Sequence, residues 1–248
     1  PCGTLFPYTT LFRSVKKPFS VSGRPTDRVI PTPLLTRLKK WVSRLVDNVE
    51  GTPKVILLIG GPGNGKTDAL EHAISSLDEK LCASGSIVES LRKKMYLKDG
   101  FLARKAVSDI SFLPCLSDKK LPFSKIELVQ DATIQDQSQP LKSAEQLLIE
   151  DIEGCLEEKD KLYIGCINRG ILAHALTYIS SKGTFGDTEQ LLADVMSAVT
   201  IGPKQEDCWP LKKYPNIVAW PMDVESLVDP ELSQNGETPA HQIFKVAL

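Results

Sequence analysis

A chain of 248 residues, 42% hydrophobic and 25% charged, has the makeup of an ordinary globular protein, which excludes collagen-like, low-complexity and disulfide-knot classes. Its 30 basic and 31 acidic residues nearly cancel, yet residues 15–44 hold eight Lys/Arg against Asp27 alone, so the rest of the chain is acidic. The longest clean apolar run, residues 55–59, falls far short of the roughly 20 residues that a membrane helix needs, and no membrane partner is expected.

Cys2, Cys82, Cys115, Cys155, Cys166 and Cys208 form no Cys-x-x-Cys pair, and His72, His174 and His241 are scattered. This spacing argues against a zinc site and for a reducing, cytoplasmic compartment. Residues 4–14, TLFPYTTLFRS, resemble the in-frame translation of a sequencing-adapter oligonucleotide, so residues 1–14 are expected to be non-native and are set apart from the fold. Residues 15–30 form a basic segment, which either meets nucleic acid or is simply solvated. Residues 31–228 are expected to form one domain, and residues 229–248 a partial C-terminal segment.

The first predicted element spans residues 32–49. Thr32 suits the cap, Pro33 the first turn, and Leu34, Leu35, Leu38, Trp41, Val42, Leu45, Val46 and Val49 recur at helical spacing before Gly51. Residues 54–59, KVILLI, read as a strand buried on both faces of a parallel sheet.

That strand runs into GGPGNGKT: Gly60, Gly61, Pro62, Gly63, Asn64, Gly65, Lys66 and Thr67, which satisfy G-x-x-x-x-G-K-[ST]. Glycines let the backbone curl so that successive N–H groups point at phosphate oxygens, and the following helix adds its positive end. In this pattern Lys66 reaches the β- and γ-phosphates and Thr67 offers its hydroxyl to magnesium. Asp68, Ala69, Leu70, Ala73, Ile74 and Leu77 continue as a helix with one apolar face. ATP and Mg are the expected cofactors.

Further along, residues 91–105 read as a basic helix carried by Leu91, Met95 and Leu102, with a strand inside residues 106–112. KIELVQ, residues 125–130, reads as a strand ending at Asp131, which is either a magnesium-shell carboxylate or a strand-end cap. A phosphate-hydrolysing site of this kind usually has Glu at the next position; this chain has Ala132, so no water-activating base is assigned, and Asp136 reads as a solvated loop carboxylate. Ser143 and Gln146 have capping-box spacing for the next helix. KLYIGCI, residues 161–167, is another strand, followed by Asn168 and Arg169. Asn168 either hydrogen-bonds the γ-phosphate or its attacking water, or caps the helix of residues 171–180. Residues 188–199 read as a helix, residues 202–209 as a loop, and Trp209 and Trp220 as packing residues.

Strands alternating with helices predict an α/β domain, a three-layer sandwich around a mainly parallel sheet. An amphipathic helix, a strand, GGPGNGKT, a strand ending in Asp131, a helix and a strand ending in Asn168 together resemble a P-loop NTPase of the AAA+ or related STAND type, over residues 31–222. The resemblance implies Walker A for residues 60–67, Walker B for Asp131 and sensor 1 for Asn168. It also implies an arginine finger from a neighbouring domain or subunit, with Arg169 a candidate in cis. NIVAWPMDVESL, residues 216–227, resembles the last core strand and the start of its continuation, and GCINRG, residues 165–170, resembles large ATPases of bacterial antiviral defence. The implied activity is ATP hydrolysis coupled to conformational change in a larger assembly. The alternatives are a nucleotide-sensing switch without turnover and a P-loop kinase, for which Arg92, Lys93 and Lys94 supply lid charge.

Overall fold

Five apolar runs pair into one sheet in the computed structural model, which describes residues 19, 32–97, 102–111, 113, 121–183, 186–200, 208–224, 237, 238, 240–242 and 245. In chain order the elements are α1 (Pro33–Val46), β1 (Val55–Ile59), α2 (Lys66–Leu81), α3 (Ser86–Met95), β2 (Lys105–Asp109), β3 (Lys125–Val129), α4 (Ala144–Glu157), β4 (Lys161–Ile167), α5 (Arg169–Ser181), α6 (Asp187–Thr200) and β5 (Ile217–Pro221). The strand order is β2-β3-β4-β1-β5, with β3, β4, β1 and β5 parallel and only β2 antiparallel.

β1 lies inside the sheet between β4 and β5, which explains why all five of its residues are apolar and buried. Its side chains alternate between two cores, as strand geometry requires. Ile56 and Leu58 join α1, α2 and α3 on one face, whereas Val55, Leu57 and Ile59 join α4, α5 and α6 on the other. The protein is therefore α/β, with helices on both faces of a mostly parallel sheet. Truncating Leu58, which is fully buried, to Ala costs about 2–5 kcal/mol by transfer and cavity terms together.

Local chemistry sets the helix ends. Thr32 caps α1 by accepting from Leu35 N at 3.3 Å, and Trp41 fixes the helix to the approach of β1 by donating to Pro53 O at 2.7 Å. α1 stops at Val46, earlier than its apolar spacing predicts, because Asn48 adopts a positive φ of 51° and Val49 turns out to solvent at 41% exposure. Asp78 of α2 caps α3 across the intervening turn, its carboxylate accepting from Gly85 N at 2.6 Å and Ile87 N at 2.8 Å. Ser143 and Gln146 form the reciprocal capping box of α4.

The basic helix expected over residues 91–105 is displaced. α3 begins at Ser86 and ends at Met95, Tyr96 pairs with Leu102 in an isolated antiparallel bridge, and Lys105 already opens β2. Arg92, Lys93 and Lys94 thus form the last turn of α3, where they complement its negative end, and Arg92 and Lys93 pair with Glu89. Trp220 is buried and stacks edge-on against Trp209 at 5.3 Å, with Arg37 of α1 over its ring at 5.2 Å, so both tryptophans pack as the sequence suggests.

Residues 1–14, the basic segment 15–30 apart from Phe19, the loop at 202–207, the continuation of the last strand beyond Val224 and most of residues 229–248 lie outside the described residues. Among the described residues, no helix is long and apolar enough to cross a membrane.

Candidate functional site

Parallel strands place their carboxyl ends on one side of the sheet, and the loop from Gly60 to Lys66 leaves β1 at that side. Gly60 N donates to Ile167 O at 3.1 Å, tying the start of the loop to the end of β4. The chain then turns through Gly63 at φ 82° and Gly65 at φ 74°, a backbone region that glycine enters without strain. Gly65 stands at the cap of α2, and Ala69 N closes the first helical turn on Gly65 O at 2.9 Å. The leading N–H groups of α2 therefore face the loop rather than a capping side chain.

Lys66, in the first turn, folds back on that loop, donating to Gly60 O at 2.8 Å and to Gly61 O at 2.6 Å. Burial lowers its pKa below the usual lysine value, while the charges of Asp131 and Asp223 pull the other way. Thr67 is half-buried beside Lys66, Asp68 is exposed, and Pro62 and Gly63 are exposed at the loop tip. Cys166 on β4 lies within electrostatic reach of Lys66; burial pushes its thiol up to about 12, so it stays protonated and supplies no nucleophile.

Asp131 leaves the end of β3 at the same side of the sheet, and its negative charge acts on Lys66. Its Oδ1 accepts from Thr133 N at 2.9 Å and Thr133 Oγ1 at 2.7 Å, so the strand-end turn anticipated as one alternative is present. Ala132 is fully buried in the core shared with α4, α5 and α6, its N–H held by Cys166 O at 3.0 Å. A side chain at 132 thus sits in that core. Asp136 caps Ser138 within its own turn and belongs to the loop beyond.

Asn168 ends β4 as the N-cap of α5, its Oδ1 accepting from Gly170 N at 3.0 Å, so α5 begins at Arg169 rather than at residue 171. Arg169 Nε lies 2.6 Å from Asp223 Oδ2. Asp223, in the short 3-10 turn after β5, was not anticipated. Its Oδ1 accepts from Gly61 N at 3.1 Å and from the Asn64 amide. Like Asn168, it is a polar group just past a strand that flanks β1, two residues after Pro221, and that placement is the signal that could have found it.

A second polar cluster was also missed. Arg104 Nη2 lies 2.6 Å from Asp151 Oδ2, and Lys105 Nζ lies 2.5 Å from Asp151 and 2.9 Å from Glu127. Lys161 reaches Glu127 at 3.4 Å. Burial by itself lowers the Lys105 pKa, but Asp151 and Glu127 outweigh it and raise the value. These residues tie β2, β3 and β4 to α4 beneath a cavity of about 560 Å³ that Lys94, Arg104, Lys105 and Asp136 help to line. Their charges are spent on one another, which marks them as a fastening of the edge strand. Comparison of the chain with protein-family models, with curated proteins and with solved structures finds no match in any of the three.

Proposed function

We propose that this chain is a P-loop NTPase module of the AAA+ or related STAND type, which binds ATP with magnesium and hydrolyses it to drive a conformational change in a larger protein. The observation that carries the reading is the loop of residues 60–67, curled through Gly63 and Gly65 between a buried parallel strand and the start of α2, with Lys66 folded over it. Such a loop offers backbone N–H groups and a helix N-terminus to phosphate oxygens. Lys66 exchanges the Gly60 and Gly61 carbonyls for the β- and γ-phosphates, and the cost of its burial is offset when those charges arrive.

The Thr67 hydroxyl and the Asp131 carboxylate are hard oxygen donors of the kind magnesium takes. Thr67 and Asp131 are the residues that would hold the ion, which when bound would neutralise phosphate charge. Asn168 and Arg169 at the end of β4 orient and stabilise the γ-phosphate, so positioning and charge neutralisation carry the chemistry.

One observation favours a second reading, in which the chain binds nucleotide as a switch without turnover. Ala132 is buried in the core, so no carboxylate follows Asp131 toward the site. Calorimetric titration with Mg-ATP, followed by a phosphate-release assay, tests both. Saturable binding with release supports the hydrolase, binding without release supports the switch, and no binding at millimolar ATP overturns the proposal.

A further inference from the structure

β1 is flanked by β4 on one side and β5 on the other, and two residues past the end of each flanking strand stands a charged side chain. Arg169 comes from the β4 side and Asp223 from the β5 side, and they meet at 2.6 Å with about a third of each side chain exposed. The second oxygen of Asp223 is bound to the loop itself, through Gly61 N at 3.1 Å and the Asn64 amide. The approach is close enough to constrain the backbone. A Cβ on Gly60 would lie 2.8 Å from Met222 Cβ and 2.9 Å from Asp223 Oδ1, so only glycine fits there.

A carboxylate and a phosphate seek the same partners: a guanidinium, a backbone N–H and a lysine ammonium. Asp223 already holds the first two and its charge acts on the third, Lys66. We propose that Asp223 is a positioning residue that competes with the γ-phosphate of a nucleoside triphosphate for Arg169. A triphosphate must take the arginine from Asp223, whereas a diphosphate leaves the pair intact, so Asp223 lowers triphosphate affinity selectively and the pair registers the third phosphate. The exchange also frees Oδ2 of Asp223, which links the third phosphate to the turn Met222–Val224. This inference rests on the nucleotide-binding reading above.

The test compares ATP and ADP affinities of the wild-type chain, Asp223→Asn, Arg169→Ala and the double variant by calorimetry. Asn keeps an oxygen for Gly61 N and removes the charge that holds Arg169. Asp223→Asn is expected to tighten ATP about tenfold and ADP no more than about twofold, since Arg169 is then free for the γ-phosphate. In the Arg169→Ala background the same substitution is expected to leave the ATP-to-ADP ratio unchanged. A merely structural staple would alter melting temperature and shift both nucleotides alike, and that result overturns the inference. So does an unchanged ratio in Asp223→Asn, while binding of neither nucleotide by any variant or the wild type overturns the functional reading as well. If Asp223→Asn does not fold, Asp223→Ser, at a site one-third exposed, carries the same comparison.

Discussion

Lys66 Nζ donates to the carbonyl of Gly61 at 2.6 Å, so the cation of the loop is held by the loop's own backbone. A lysine in this state is half desolvated, and its pKa lies below the ordinary value of 10.5 chiefly because burial disfavours the charge. The sign of the resulting pH dependence is fixed. Lys66 subtracts stability below its lowered pKa, and that loss fades as pH rises toward the unfolded value. Phosphate binding needs the charged form, so ATP affinity is expected to begin falling as pH rises through that lowered pKa, at a lower pH than an unperturbed lysine would give. Calorimetry across the alkaline range checks this.

Asn168 has two roles to separate, because its side chain already caps α5 through Gly170 N. Asn168→Ala is expected to cost about 0.5–2 kcal/mol of stability from the lost cap and to lower turnover. Asn168→Ser keeps a capping oxygen, so stability is expected to return while turnover stays low. Denaturant unfolding and phosphate release, run on both variants, read the two effects apart; full turnover in Asn168→Ser would leave the residue as a cap alone.

Asp131→Ala is expected to weaken the magnesium dependence of ATP binding without unfolding the chain, since Asp131 is only half-buried and its hydrogen bonds stay within its own turn. ATP titrations at several magnesium concentrations measure it. An unchanged magnesium response would place the metal shell elsewhere.

Turnover by the chain alone is expected to be slow, and restoring a carboxylate at position 132 is not expected to accelerate it. Ala132 is fully buried among Val129, Ile167 and Leu172, so Ala132→Glu drives a charge into the core. The expected result is destabilisation of about 3 kcal/mol or more with no gain in phosphate release. Rapid turnover that does not vary with protein concentration in the wild type would instead show a complete site within one chain.

The ion cluster behind β2 gives a stability prediction independent of function. Arg104 and Asp151 are each about 2% exposed and pair at 2.6 Å, so Asp151→Ala strands Arg104 in the interior. Removing one partner of a buried pair costs about 3–5 kcal/mol, to be read from the denaturant midpoint.

Much of the sheet was legible because its signals are local. The strand at residues 161–167 and the capping box at Ser143 and Gln146 come directly from short runs and spacings. Boundaries set by single backbone angles were not, as Asn48 shows where α1 stops before Val49. Leu102 was misplaced because its helical spacing to Met95 is coincidental: α3 ends at Met95, and Leu102 pairs with Tyr96 in an antiparallel bridge. Lys66, Asp131, Asn168 and Arg169 were singled out because each comes after an apolar strand; Asp223 does too, but it pairs with Arg169, a residue 54 positions earlier, and no local pattern records that pairing.

The most direct test is the comparison of ATP affinity between the wild-type chain and Lys66→Ala, with the fold of each verified by circular dichroism. Loss of the ammonium removes a charge-assisted partner of the β- and γ-phosphates, typically about 1.5–3 kcal/mol, so affinity is expected to drop by roughly ten- to a hundredfold or more. Equal ATP affinity in two equally folded proteins would contradict the assignment of residues 60–67 as a phosphate-binding loop.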